Sequence, residues 1–136
     1  MHSMRYYIDT RIWGDYFEGR NEKRPLGEFA LQFLNGLKET DTVYYSRAVV
    51  EELISKSLNP QKIMNIVQEK GILKEAKITP QNINEAIFLA RQRGIPKGDA
   101  MHAILAREND AIVVTRDRDF LVLLDVAECR KPEDLI

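Results

Sequence analysis

Short runs of strand-forming residues alternate with longer amphipathic segments, and this alternation limits the fold more than any other feature of the sequence. The apolar runs predict strands at residues 6–8, 42–45 and 111–115, with weaker strands at 76–78 and 126–129. Because helical segments separate the strands, the sequence predicts a mostly parallel sheet that is covered by helices on both faces.

Polar caps and apolar spacing mark the helices. Apolar residues recur at intervals of three and four over residues 26–37, which is the pattern of an amphipathic helix. Helix starts are predicted at an N-cap serine and at two pairs in which proline takes the first helical position: Ser46, Asn59–Pro60 and Thr79–Pro80. The remaining predictions are a helix at 12–18, a loop at 19–25, a helix end near Gly94, and a loop at 95–98 that leads into a helix.

The length of 136 residues is that of a single domain. We expect this domain to span residues 4–136, and residues 1–3 to be a cloning remnant or an upstream start. The sequence contains no linker, internal repeat or low-complexity tract that would divide it.

Composition and charge exclude several classes of protein. With 44% hydrophobic and 30% charged residues the chain can bury a core, which excludes a disordered chain. Twenty basic against twenty-one acidic residues exclude a broadly basic nucleic-acid binder. A single cysteine, Cys129, excludes an intramolecular disulfide, and no Cys/His run has zinc spacing. Since no segment is apolar over a membrane-spanning length, we expect a cytoplasmic protein.

Acidic residues stand where the predicted strands end or where the following helices begin. Six of them do so in four separate segments: Asp9, Glu51, Glu52, Asp99, Asp117 and Asp119. Function in open parallel sheets collects at the carboxyl edge, so these segments are expected to meet there. Any one of these residues alone could be a helix cap or an exposed side chain, but caps have no need to share one edge.

Several carboxylates close together raise one another's pKa, and a hard divalent cation offsets that cost. Ligation by oxygen alone, without histidine or cysteine, favours Mg²⁺ or Mn²⁺. Such an ion can activate water and stabilise charge on a leaving oxygen, which suits the hydrolysis of phosphodiester bonds.

Four segments resemble, in order, the motifs of PIN domains, and among these the VapC-type toxins of toxin–antitoxin pairs. The segments are Tyr7-Ile8-Asp9-Thr10 and residues 46–53, 98–103 and 113–120, and the chain closes on Pro132-Glu133-Asp134-Leu135, which is typical of the family. The resemblance extends over nearly the whole chain, from about Arg5 to Leu135.

The resemblance implies a PIN-like three-layer α/β/α sandwich with a mostly parallel five-stranded sheet. It implies an endoribonuclease that depends on Mg²⁺ or Mn²⁺, forms a homodimer and is held inactive by an antitoxin protein. The catalytic, metal-binding acids of the family correspond to Asp9, Glu52, Asp99 and Asp117. The motif selects Glu52 over Glu51, because the family acid lies six residues after the small polar residue and before an apolar one.

Supporting roles follow from the same resemblance. The hydroxyl groups of Thr10 and Thr115 correspond to hydroxyl positions beside the family's acids. Asp119 is expected either to bind the metal through water or to cap the turn into Phe120, and we favour the first. His102 lies one helical turn after Asp99, and we expect a packed or exposed helix residue rather than a catalytic base.

Basic and aromatic residues near the motifs have two interpretations each. The basic residues would contact RNA phosphates or pair with nearby acids: Arg11, Lys97, Arg116 and Arg118. The aromatic residues would stack on bases or, more often for such a cluster, pack in the core or at a dimer surface: Trp13, Tyr16 and Phe17. Cys129 is expected to be a small strand or core residue without chemistry.

Three other functions remain open. A PIN-type nuclease of RNA processing without an antitoxin would have the same sequence features, and the neighbouring gene would distinguish it. A non-catalytic PIN scaffold is disfavoured because all four acidic positions are filled. A phosphoryl-transfer domain with an aspartyl-phosphate would have paired acids after the first strand, where this chain has Asp9-Thr10-Arg11.

Overall fold

Five parallel strands form one sheet in the computed structural model, which describes residues 3–19 and 25–136. The strands are β1 (Arg5–Ile8), β2 (Thr42–Tyr45), β3 (Leu73–Glu75), β4 (Ile112–Val114) and β5 (Cys129–Arg130). Their order across the sheet is β3–β2–β1–β4–β5, and every pairing is parallel. All carboxyl ends therefore lie along one edge, with β1 in the middle of the sheet.

Six α-helices connect or cover the strands in the described part of the chain. They are α1 (Thr10–Gly19), α2 (Pro25–Asn35), α3 (Arg47–Ser55), α4 (Pro60–Gln68), α5 (Pro80–Arg93) and α6 (Lys97–Glu108). Two 3₁₀ helices, which the sequence did not predict, follow β4 and β5 at Arg118–Leu123 and Pro132–Leu135.

Side chains of β1 alternate between two helical layers. The ring of Tyr6 meets Phe33 of α2 edge-on, with the ring centroids 5.0 Å apart. The next residue, Tyr7, packs against His102 of α6 at 5.3 Å. Because consecutive strand residues point to opposite faces, α2 and α6 cover opposite sides of the sheet. The structure confirms the predicted α/β fold with a five-stranded parallel sheet between helices.

Local cap chemistry determines several helix boundaries as predicted. The Ser46 hydroxyl accepts a hydrogen bond from the Val49 N–H at the start of α3. Thr79 begins α5 with a reciprocal capping box, and the same helix ends at Gly94 in the left-handed conformation, with φ of 66°. These interactions span only a few residues, so they can be recognised without the tertiary structure.

Two strands lie elsewhere than predicted. β3 occupies Leu73–Glu75 rather than residues 76–78, and it pairs with β2 at the edge of the sheet. Its side chains are half-buried or exposed, so no buried apolar run marks it. β5 lies at Cys129–Arg130 rather than 126–129, because the N–H groups of Val126 and Ala127 bond to the Leu123 carbonyl in a turn.

Helix α1 begins at Thr10, directly after β1, and packs against α2. A Cβ atom on Gly19 would lie only 2.6 Å from the Cα of Gly27, so glycine allows the two backbones to approach at this point. Most of the loop predicted at 19–25 lies outside the described residues, although Gly19 belongs to α1 and Pro25 begins α2.

The aromatic cluster of α1 packs in the core rather than standing free for bases. Trp13 is fully buried and Tyr16 is 6% exposed, while Phe17 is partly buried against the same core. The packing interpretation of these three residues is therefore correct within the protomer. Cys129 is a half-buried residue of β5, and burial and the nearby Glu128 raise the pKa of its thiol to about 11.

Candidate metal centre

The fold brings the predicted acidic segments to the carboxyl edge of the sheet. Asp9 directly follows β1, and its N–H extends the β1–β4 pairing by donating to the Val114 carbonyl at 3.0 Å. Asp117 lies just after β4, and Asp99 lies in the first turn of α6. Glu52 lies in α3, the helix that follows β2. Two of the four acids thus follow strands, and the other two lie in helices α3 and α6.

Three of the carboxylates come together closely enough to share one ion. Oxygen atoms of Asp99, Asp117 and Asp119 all lie within 4.8 Å of one another, and the three residues are half-buried. All donors are carboxylate oxygens, which is the ligand set that hard divalent cations such as Mg²⁺ and Mn²⁺ take. Oδ2 of Asp99 is buried without a hydrogen-bond partner in the described structure, so an oxygen in the group has unused capacity for a cation.

Asp99 shows the electrostatic cost of this arrangement. Burial raises the pKa of its carboxyl to about 7, with further contributions from the negative charges of Asp117 and Asp9. The nearby His102 lowers the pKa but does not outweigh those effects. A cation between these groups would offset their repulsion, so the metal-free group favours cation binding.

Asp9 is the most buried acid of the site, with 5% of its surface exposed. Its Oδ2 accepts a hydrogen bond of 2.9 Å from the Thr115 hydroxyl. Burial raises the pKa of Asp9, as do the charges of Glu52 and Asp117, while His102 and the Thr115 hydroxyl partly counter this. Asp9 is therefore electrostatically coupled to the group, although it is not one of the three acids within 4.8 Å.

Asp119 has an oxygen atom within 4.8 Å of those of Asp99 and Asp117, whereas the sequence suggested an indirect or capping role for it. The cap is Asp117 itself, whose Oδ1 accepts a 2.9 Å hydrogen bond from the Asp119 N–H at the start of the 3₁₀ helix. The Asp117 N–H in turn donates to the Thr115 hydroxyl at 3.1 Å. Thr115 therefore links Asp9 to the Asp117 turn, and this contact gives the predicted supporting hydroxyl a definite position.

Glu52 and Glu51 point in different directions, as adjacent helical residues must. Glu51 pairs with Arg47 at 3.0 Å on the exposed face of α3. Oε1 of Glu52 lies 2.8 Å from Nε2 of His102, on the side of the acidic cluster. Burial would raise the pKa of Glu52, but the hydrogen bond and charge of His102 lower it overall. Oγ1 of Thr10, the other predicted supporting hydroxyl, is buried without a hydrogen-bond partner in the described structure.

His102 is a packed helix residue, as one of the two predictions had it, but the sequence did not reveal its contacts with the acidic residues. It is fully buried, and besides Glu52 it contacts the Tyr7 hydroxyl through Nδ1 at 2.7 Å. Its Nε2 also lies 4.0 Å from Oδ1 of Asp9. The spacing of three residues from Asp99 puts both side chains on one face of α6, and that spacing was the available signal.

Three of the four basic residues nominated for RNA are exposed: Arg11, Lys97 and Arg118. Arg116 instead makes an internal ion pair, with 2.6 Å between its Nη1 and Oε2 of Glu133. Its guanidinium also lies 3.9 Å from Asp15 of α1 and 5.9 Å from the ring of Phe29. For Arg116 the interpretation as a partner of nearby acids is therefore the one that the structure supports.

Carboxylates grouped at the carboxyl edge of a parallel sheet can hold a divalent cation, and such an ion suits the hydrolysis of phosphodiester bonds. The family match makes this interpretation specific, because residues 6–123 match the family model of the PIN domain. The chain belongs to the PIN domain family, as its four motifs predicted, and this match supports a nuclease. No curated protein matches the sequence significantly.

Solved structures with this fold cover nearly the whole chain. VapBC-1 from nontypeable Haemophilus influenzae matches with a TM-score of 0.66 and 19% identity, over 95% of this chain and 98% of its own. FitAcB from Neisseria gonorrhoeae matches with a TM-score of 0.61 and 21% identity, over 95% of this chain and 98% of its own. VapBC2 from Rickettsia felis, bound to a DNA fragment from its promoter, matches with a TM-score of 0.59 and 18% identity, over 94% of this chain and 98% of its own. At these identities the likeness concerns the fold.

None of the helices within residues 3–19 and 25–136 is long and apolar enough to cross a membrane.

Proposed function

We propose that this protein is a metal-dependent endoribonuclease and the toxin of a VapBC-type toxin–antitoxin pair. The observation that carries the proposal is the group of Asp99, Asp117 and Asp119 oxygens within 4.8 Å of one another, in a chain of the PIN domain family. VapBC structures among those of similar fold support the toxin assignment.

Asp99, Asp117 and Asp119 would hold the Mg²⁺ or Mn²⁺ ion, with Asp9 and Glu52 beside them. The chemistry that such an ion supplies when bound is the activation of water at neutral pH and the stabilisation of charge on the departing oxygen. Because the pKa of Asp99 is raised to about 7, protons would compete with the ion for this carboxyl, and the site would bind the ion best above that pKa. Thr115 would hold Asp9 and the Asp117 turn together through its two hydrogen bonds.

A cavity beside Asp117 offers a path for the RNA backbone. It has a volume of about 350 Å³, and its lining includes Arg118, Arg130 and Lys131. Basic side chains next to an anionic metal group can bind the phosphates that flank the scissile bond. Arg11 and Lys97 are also exposed, and Lys97 lines a separate cavity beside Glu51 of α3.

The direct test is cleavage of a panel of structured and single-stranded RNAs with Mg²⁺ or Mn²⁺, with EDTA as the metal-free control. We expect Asp99→Asn and Glu52→Gln to abolish cleavage, because each removes a charge at the proposed site. Glu51→Gln is the matched control, since it removes the adjacent charge on the exposed face of α3. This control should cleave at the wild-type rate.

Two results would contradict the proposal. Near-normal metal-dependent cleavage by Asp99→Asn would mean that the site lies elsewhere. Absence of both cleavage and Mn²⁺ binding in the wild-type protein would instead support a non-catalytic scaffold.

The toxin assignment has its own test, because an antitoxin partner is part of the proposal. Isolation of the protein from its native cells should recover a small DNA-binding protein, and adding that protein should inhibit cleavage. Recovery of an active nuclease without such a partner would favour a role in RNA processing instead. We further propose that residues 4–136 form a single domain and that the protein is cytoplasmic. We also propose that it forms a homodimer, whose mass light scattering would measure.

A further inference from the structure

A chain of buried hydrogen bonds runs behind the acidic group. Ser46 Oγ lies 2.6 Å from the Tyr7 hydroxyl, and that hydroxyl lies 2.7 Å from Nδ1 of His102. On the other side of the ring, Nε2 of His102 lies 2.8 Å from Oε1 of Glu52. The chain therefore connects the start of α3, the centre of β1 and the middle of α6, and it ends on a carboxylate of the proposed site.

Donor chemistry fixes the hydrogen bond to Glu52. The ionised carboxylate of Glu52 can only accept, so Nε2 of His102 must carry the proton that lies between them. At Nδ1 a charged ring donates to the Tyr7 oxygen and a neutral ring accepts from the Tyr7 hydroxyl, so Tyr7 holds this nitrogen in either form of the ring. Ser46 is itself fixed, because its hydroxyl accepts from the Val49 N–H as the cap of α3. Each group thus orients the next.

The buried surroundings of His102 explain why its ring is held in one orientation. The ring is fully buried, and so are Tyr7 and Ser46. In such an environment a hydrogen bond cannot easily be exchanged for one to water, so leaving a partner unpaired is costly. Glu52 is more open, with 41% of its side chain exposed, and without His102 its carboxylate would be free to sample several rotamers.

We propose that His102 is a positioning residue, which is oriented by Tyr7 and holds the Glu52 carboxylate beside the acidic cluster before a metal ion binds. This inference deepens the proposed function and rests on it. His102 acts through Glu52 and touches neither the metal ions nor the substrate. Groups that hold metal-site carboxylates in this way typically change metal affinity or activity by about 10- to 100-fold when they are removed.

The experiment compares three changes of this chain of contacts in the full-length protein. His102→Leu removes the hydrogen bond to Glu52, whereas His102→Gln can still donate from its amide nitrogen. Tyr7→Phe removes only the hydroxyl that holds Nδ1, and it keeps the ring. The matched control is Tyr6→Phe, which removes a hydroxyl from the neighbouring residue on the opposite face of β1.

Three measurements follow each variant: Mn²⁺ affinity by calorimetry, kcat and KM for an RNA that the wild type cleaves, and thermal stability. We expect His102→Leu to lower Mn²⁺ affinity and kcat by about 10-fold or more with little change in KM. His102→Gln should recover most of both, and Tyr6→Phe should match the wild type. Tyr7→Phe should fall between them, and in NMR spectra of the ring nitrogens it should shift the Nδ1 signal of His102.

Each other outcome overturns the inference. If Tyr7→Phe and His102→Leu bind Mn²⁺ and cleave as the wild type does, His102 has no positioning role. If His102→Gln and His102→Leu reduce Mn²⁺ affinity equally, and in proportion to lost thermal stability, His102 serves packing alone. Tyr7→Phe remains decisive should His102→Leu fail to fold. Failure of the proposed function would instead appear in the wild type, which would neither bind Mn²⁺ nor cleave RNA, and the inference would fall with it.

Discussion

Replacing Asp99 by Asn changes the charge of the acidic group with little change in shape, and we expect the metal-free protein to become more stable at pH 8. Burial and the charges of Asp117 and Asp9 raise the pKa of Asp99 from 3.8 to about 7. At pH 8 the folded wild type therefore carries an ionised carboxylate in a place that disfavours it. Asparagine carries no charge and avoids that cost.

The pKa gives the size of the effect. A change from 3.8 to about 7 corresponds to about 4 kcal/mol at 1.36 kcal/mol for each pKa unit. Because Asp99 is only half-buried, solvent screening reduces this, and we take about 2 kcal/mol as the expected gain in unfolding free energy. Between about pH 4 and pH 7 the native state binds more protons than the unfolded state, so the wild type loses this stability as pH rises. The advantage of Asp99→Asn grows over the same interval and is constant above it.

Urea denaturation in EDTA at several values between pH 4.5 and pH 8 measures this difference directly. Glu39→Gln is a suitable control, because it removes one charge just before β2, at the opposite edge of the sheet. Saturating Mn²⁺ should reverse the order, since an ion at 100 times its Kd stabilises the wild type by about 2.7 kcal/mol. If Asp99→Asn were no more stable than the wild type in EDTA at pH 8, the reasoning from mutual repulsion would be wrong.

Two further substitutions test contacts around the site. Thr115→Val removes the hydroxyl that donates to the buried Asp9. We expect RNA cleavage and Mn²⁺ affinity to fall by about 10-fold or more. Unchanged Mn²⁺ affinity would show that this contact does not hold the site. Arg116→Ala leaves Glu133 without its partner, and we expect a loss of about 2 kcal/mol in unfolding free energy with an unchanged salt dependence of RNA binding. If instead stability were kept and the salt dependence weakened, Arg116 would be a phosphate contact.

The contacts that the sequence did not reveal are hydrogen bonds and ion pairs between residues that lie far apart in the chain. Tyr7 and His102 are 95 residues apart in the chain, and Glu52 and His102 are 50 apart. The hydrogen bonds between them depend on how α3 and α6 pack against β1, and no local pattern encodes that packing. The ion pair of Arg116 and Glu133 is likewise a tertiary contact, because it requires the last 3₁₀ helix to lie beside the end of β4.

The sequence by itself determined the alternation of strands and helices, the caps at Ser46 and Thr79, and the placement of acids after the strands. These features obey rules that act within a few residues, such as apolar periodicity and hydrogen bonding at a helix end. Only the tertiary structure decided the position of the edge strand β3, which buries too little to leave an apolar pattern. It alone also placed oxygen atoms of Asp119 and Asp99 within 4.8 Å of each other and His102 behind Glu52, because such contacts form only when separate segments pack together.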